Sequence, residues 1–167
     1  MDELFKFPNL ERVLNEYGQA VQDEYKLRLL SDKKTASFNL VDSVRYIYTS
    51  NGRKFEISLN LAPYWRYVEY GRKPGKFPPP DKILEWVRIK PLLPRENDNG
   101  KLPTEKQLAY LIGRKIAKEG IEAGNQLQDT VDAINHTYLL KIYDAIDKDL
   151  AEMAVVIFND FSNPKWN

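Results

Sequence analysis

The side chains able to do chemistry are few, and their spacing suits none of the common reactions. The chain has one histidine, His136, and no cysteine. That excludes a thiol nucleophile, a Cys-ligated zinc or iron–sulfur centre and a multi-histidine metal site. No Ser or Cys motif accompanies His136, so a structural or surface role is expected. Asp144, Asp147 and Asp149 form a carboxylate run. Steps of three and two residues do not bring all three to one helix face, and no calcium-loop glycine lies near. A solvated helix face is the expectation. Glu69, flanked by Tyr67 and Tyr70, invites a general-base role; a helix-surface or interface carboxylate is expected instead. Gly71 and Gly75 lack the Lys-Ser/Thr ending of a phosphate-binding loop. No catalytic residue, cofactor or metal ligand is therefore assigned. One constellation remains. Tyr64, Trp65, Arg66, Tyr67 and Tyr70 stand beside Arg72, Lys73 and Lys76, with Arg88 and Arg95 further on. Aromatic and cationic side chains at this density either stack bases and meet phosphates or form protein–protein hot spots. With Glu69, these eleven residues are the candidate interaction set.

Charge helps to choose between the two. The 167 residues carry a net charge of +1, whereas nucleic-acid modules usually show a dominant basic field. The charge is uneven, however. Arg66 to Arg95 holds eight basic residues and three acids, a local excess of +5. Glu119 to Asp160 holds nine acids and two lysines, an excess of −7. Either these are two solvated surfaces, or the basic part of one copy meets the acidic part of the next, a head-to-tail arrangement that closes rings. With 43% hydrophobic residues and 20 aromatic ones, the chain can bury a core, so disorder is not expected. No apolar run reaches membrane-span length, and the acidic start Met1-Asp2-Glu3 is unlike a signal peptide. A cytosolic protein, or one assembled there into something larger, is expected.

The elements that position the candidate set follow from hydrophobic periodicity. Leu10, Val13, Leu14, Tyr17, Val21 and Tyr25 recur at helical spacing behind Pro8 and a capping Asn9, predicting a helix to about Leu30. Gly18 inside it predicts close packing there. Val44, Tyr46 and Tyr48 alternate, Asn51-Gly52 follows, and Phe55, Ile57 and Leu59 alternate in turn. A two-residue turn pairs Tyr48 with Phe55, Tyr46 with Ile57 and Val44 with Leu59. Pro63 to Tyr70 is a short helix ended by Gly71. Residues 72–80 are a proline-stiffened loop, and 81–90 a helix anchored by Trp86. Residues 91–103 are a polar loop with Asn97 to Gly100 at its tip; both loops are expected to dock on partners. Thr104 and Gln107 form a capping box for a helix to Glu119, with Leu108, Leu111, Ile112 and Ile116 as its face and Gly120 as its stop. Between Asn125 and Ser162 there is neither proline nor glycine. Leu139, Ile142, Ile146, Leu150, Met153, Ile157 and Phe161 mark one long amphipathic helix. Either part of that stripe packs on another subunit, or the helix folds back along the first one. The fold class is α+β: a small antiparallel hairpin on long helices, with an extended C-terminal helix. It is expected as one domain comprising an N-terminal helix (1–34), a core (35–124) and the C-terminal helix (125–167).

Four segments carry a family likeness. Leu61-Ala62-Pro63-Tyr64-Trp65-Arg66-Tyr67-Val68-Glu69-Tyr70-Gly71 resembles the Y-A-x-Y-V-E-x-G segment of the neck and tail-completion proteins of tailed bacteriophages. Asn39-Leu40-Val41-Asp42-Ser43-Val44-Arg45-Tyr46 is similar to that family's N-L-x-x-S-I-x-Y strand. Pro80-Asp81-Lys82-Ile83-Leu84-Glu85-Trp86-Val87 resembles its P-x-x-I-x-x-W-V helix. Ala109, Ile112, Lys115, Ile116 and Gly120 match its A-x-x-I-x-x-K-I-x-x-x-G helix. The likeness covers residues 35–124. After Gly120 the family often has a Thr and a Pro-Phe-Leu-like segment, whereas Ile121-Glu122-Ala123-Gly124-Asn125 stands here.

The resemblance implies a non-enzymatic virion subunit at the head–tail junction, without cofactor. It implies rings of about six or twelve copies, assembled in the host cytoplasm between portal or adaptor and tail proteins. DNA would pass through the lumen without sequence-specific binding, and no membrane would be involved. The alternative is a nucleic-acid-binding accessory module that uses the aromatic and basic segment 64–88.

Overall fold

A computed structural model describes residues 6–31, 39–51, 54–89, 92, 94–96 and 100–162. The elements are α1 (Pro8–Ser31), α2 (Asn39–Ser43), β1 (Arg45–Ser50), β2 (Phe55–Asn60), α3 (Trp65–Glu69), α4 (Pro80–Ile89), α5 (Glu105–Glu119) and α6 (Gln126–Ser162). The chain is α+β, with one two-stranded antiparallel sheet and a 37-residue C-terminal helix about 55 Å long. By internal contacts it divides into two compact units. One takes residues 1–27, 44–60 and 128–167; the other takes 28–43 and 61–127.

The first unit is built on α1, α6 and the hairpin. Leu10, Val13, Val21 and Tyr25 of α1 are buried with Val44 and Ala145. α6 runs antiparallel to α1: the Tyr17 hydroxyl donates to Asn135 Oδ1 (2.8 Å), and its ring meets Tyr138 edge-on. The cap of α1 differs from the one expected. Pro8 is already helical, where its missing N–H costs nothing. Asn9 is then inside the helix, and the cap comes from α6. Asp149 Oδ1 accepts from Asn9 N (3.0 Å) and Nδ2 (2.8 Å), and its Oδ2 accepts from Leu10 N (2.8 Å).

The hairpin keeps its expected face but not its expected register. Tyr46 lies opposite Leu59, Tyr48 opposite Ile57 and Ser50 opposite Phe55. The slip is two residues, and an even slip leaves every side chain on its original face. Asn51 is the cause. Its Oδ1 accepts from Lys54 N (2.8 Å), and its own N–H donates to the Lys54 carbonyl (3.3 Å), closing a four-residue connection. Gly52 and Arg53 lie outside the described residues. The close approach expected at Gly18 is present: a Cβ there would stand 2.6 Å from Tyr46 Cδ2. Tyr46 N also donates to Gln22 Oε1 (3.0 Å), tying β1 to α1.

The second unit holds α2 to α5. Residues 39–43 were expected as strand but are a helical turn. Ser43 explains it: its hydroxyl donates back to the Leu40 carbonyl (2.7 Å) and accepts from Ala62 N (2.9 Å), while Leu40 and Val41 are buried. α5 begins at the capping box of Thr104 and Gln107 and ends at Gly120, as its sequence requires. Leu108, Ile112 and Ile116 of its expected face are half-buried, but Leu111 is exposed and the most buried positions are Ala109 and Gly113. Phe77 lies so close that a Cβ at Gly113 would be 2.4 Å from its ring. The segment 72–80 is accordingly tied down. Gly75 N donates to the Ala117 carbonyl (2.8 Å), Phe77 stacks on Tyr110, and Pro78 is buried. The tip of the second loop, Asn97 to Asn99, lies outside the described residues.

Candidate interaction surface

The aromatic run needs a rigid support, and the segment after α5 supplies it. Arg72 and Ile121 exchange both backbone hydrogen bonds (2.8 Å each) as an isolated antiparallel bridge. Gly71 sits at φ +66 against that bridge, where a Cβ would stand 2.2 Å from the Ile121 carbonyl. Gly124 N donates to the Val68 and Glu69 carbonyls, and Asn125 N to Glu69 (3.1 Å). Residues 121–125, the stretch that departs from the phage-family pattern, thus hold the end of α3 in place.

Glu69 is not a surface or interface residue. It is 2% exposed, and its Oε2 accepts from Leu127 N (2.9 Å) in the first turn of α6. A carboxylate satisfies an otherwise unpaired N–H there and meets the positive end of the helix dipole. Asp149 is not on a solvated face either. It is 1% exposed and does for α1 what Glu69 does for α6. Asp144 and Asp147 are exposed, as expected.

The other candidates divide by what they already touch. Tyr67 and Tyr70 are 59% and 67% exposed, Tyr64 is partly so, and Trp65 is half-buried with its ring 5.8 Å from that of Tyr70. Arg72 is half-buried, and its guanidinium donates to the Lys76 carbonyl within the same loop. Arg88 pairs with Glu105 (2.9 Å), joining α4 to the start of α5. Arg66, Lys73, Lys76 and Arg95 are exposed, and none has an ion pair among the described residues. Tyr64, Arg66, Tyr67, Tyr70 and Lys73 therefore make a short outward-facing group on and just after α3. Arg88 and Arg95 do not belong to that group by chain position or element.

No family model, curated protein or solved structure matches this chain. Among the described residues, no group of three or more His, Asp or Glu side chains is placed to hold a metal ion. Among the described residues, no helix is long and apolar enough to cross a membrane. An open groove between α1 and α6 is lined by Arg12, Glu16, Lys141, Asp144 and Lys148 over Val13 and Ala145, and so carries both signs of charge.

A second surface lies on α6. Of the expected stripe, Ile142, Ile146 and Met153 are half-buried, whereas Leu139, Leu150 and Ile157 are more than 40% exposed and Phe161 reaches 81%; Phe158, outside the stripe, is 75% exposed. The cap made by Asp149 explains the exposure after that residue. α1 begins opposite that residue, so the turns beyond it have no α1 alongside them. The sequence signal was the composition of residues 153–158, Met-Ala-Val-Val-Ile-Phe, which is apolar around the whole helix.

Proposed function

We propose that this chain is a structural subunit that assembles with copies of itself into a ring at the head–tail junction of a tailed bacteriophage. The observation that carries the reading is the exposed apolar length of α6. A helix apolar on all sides is stable in water only when enclosed. A protein whose longest element is left uncovered over its last three turns is built to be completed by other chains. The uneven charge supports a heterologous contact, with a basic region in the middle of the sequence and an acidic one in its last third, and heterologous contacts close into rings. The likeness of residues 35–124 to neck and tail-completion proteins supplies the place: between portal or adaptor and tail, with DNA passing through the lumen. On this reading the aromatic group on α3 meets the adjoining ring. Tyr67 and Tyr70 offer broad, stiff contact area, and Arg66 and Lys73 steer the encounter.

Electron microscopy of the purified full chain tests this. Closed rings with a central hole are expected. A monomer that binds duplex DNA, with affinity falling steeply as salt rises, would favour the accessory nucleic-acid module instead.

A further inference from the structure

The hairpin leaves one strand edge without a partner. In an antiparallel pair, residues whose N–H and C=O meet the other strand alternate with residues whose groups point away from it. Two hydrogen bonds fix that alternation here. Asn51 N donates to the Lys54 carbonyl (3.3 Å), so the ladder bonds run between Thr49 and Glu56, Ile47 and Ser58, and Arg45 and Asn60. Tyr46 N donates instead to Gln22 Oε1 (3.0 Å), away from β2. Leu59, opposite Tyr46, therefore turns its main chain outward from the other side of the sheet, as do Ile57 and Phe55. Among the described residues, the main-chain groups of these three make no hydrogen bond, and the sheet ends at β2.

The two edges of the sheet are not equivalent. That of β1 is engaged by α1, whose Gly18 packs on the Tyr46 ring and whose Gln22 takes the Tyr46 N–H. β2 has neither a proline nor a bulge to block strand addition. Its one charged residue, Glu56, lies on the exposed face and pairs with Lys54 (2.6 Å). Outward N–H and C=O groups of this kind take an extended chain. In a second copy of this protein, the edge of β2 is the one free to supply it. The side chains select the same occupant. Phe55, Ile57 and Leu59 are half-buried on one face, and Glu56, Ser58 and Asn60 are exposed on the other. Antiparallel pairing centred on Ile57 sets Ile57 against Ile57 of the second copy and Phe55 against its Leu59, so the apolar face is kept. Glu56 then meets Ser58 and Lys54 meets Asn60, and no like charges are opposed. A centre at Glu56 would set two carboxylates against each other.

We propose that β2 of one copy pairs antiparallel with β2 of a second, joining two hairpins into a four-stranded sheet across a twofold axis. The Phe55–Leu59 and Ile57–Ile57 pairs each exchange both main-chain hydrogen bonds, and the apolar face runs unbroken across the axis. The contact is isologous, whereas a ring is closed by a heterologous one, so it does not rest on the ring reading. Where both form, two rings meet face to face.

The absence of cysteine makes the test free of background. Full-length Glu56→Cys and Ser58→Cys chains, both substituted on the exposed face, are mixed and mildly oxidised. In the proposed register these two positions form a non-hydrogen-bonded pair with Cα atoms about 4.5 Å apart, within disulfide reach. Each position stands about 8 Å from its own equivalent, beyond that reach. Disulfide-linked dimers are expected from the mixture and not from either chain alone. Dimers from one chain alone would show another register, and no dimers from the mixture would show that β2 does not pair; either result overturns the proposal. A second reading leaves the apolar face intact. Ser58→Lys sets a lysine against Glu56 of the second copy and should tighten dimerisation about fivefold, whereas Ser58→Glu opposes two carboxylates and should weaken it by about as much. No difference between the two variants contradicts the pairing. Closed rings without the mixed disulfide would sink this contact and leave the ring reading standing. Disulfide-linked dimers that never form rings would support the contact and sink the ring.

Discussion

Two buried carboxylates, Asp149 and Glu69, hold the starts of α1 and α6. Asp149 reads as one of several acids on a solvated helix because its partners, Asn9 and Leu10, lie 140 and 139 residues away. Asp149→Ala should cost about 3 kcal/mol in urea unfolding. Hydrogen bonds to a charged group are worth roughly 1.5–3 kcal/mol each, and the freed N–H groups at a helix end recover part of that from water. Asp147→Asn, on the exposed side of the same helix, should stay within about 0.5 kcal/mol. Equal effects from the two would contradict the cap. Tyr17 gives a test by pH. Burial raises its phenol above the ordinary value of 10.0, because the anion is disfavoured where water is excluded. Its contribution to stability is therefore full below pH 10 and lost as pH climbs through the raised value. Tyr17→Phe should flatten the alkaline limb of the stability curve; an unchanged limb would mean the ring is not buried in solution.

Among elements, what local chemistry decides was legible and what distant packing decides was not. The capping box at Thr104, the stop at Gly120 and the unbroken helix after Asn125 each follow from neighbours in sequence, and each is present. The hairpin was half legible. Alternation fixed its face, but the Asn51–Lys54 hydrogen bonds chose a four-residue connection over a two-residue turn and moved the register by two. The face of α5 was right at Leu108, Ile112 and Ile116 and wrong at Leu111, because Phe77, from a loop, packs on the glycine at 113 and draws the buried side toward it. Gly18 shows the reverse case, a glycine whose helix cost foretold a close neighbour. Gly18→Ala should lower the melting temperature. Overpacking against Tyr46 costs about 1–3 kcal/mol, which outweighs the roughly 1 kcal/mol that alanine gains in helix propensity. A higher melting temperature would mean that the Tyr46 ring yields freely.

For the whole molecule, the candidate residues separate by what the fold already uses. The aromatic run on α3 is outward, but Glu69, Arg72 and Arg88 serve the fold. Charge reversal at Arg66 and Lys73, which are exposed and unpaired among the described residues, should weaken binding to an adjoining tail or portal component while leaving thermal stability within about 0.5 kcal/mol. Added salt should weaken it likewise, since exposed charges are screened beyond roughly 10 Å. The open length of α6 was partly foreseen from its stripe, but only the position of Asp149 shows where α1 stops covering it. Self-assembly is the claim on which the functional reading stands, and mass photometry of the purified full chain addresses it directly. Discrete closed species of about six or twelve copies are expected, growing with concentration at the expense of the monomer. A single monomer peak at every concentration, with no larger species at low or high salt, would contradict it.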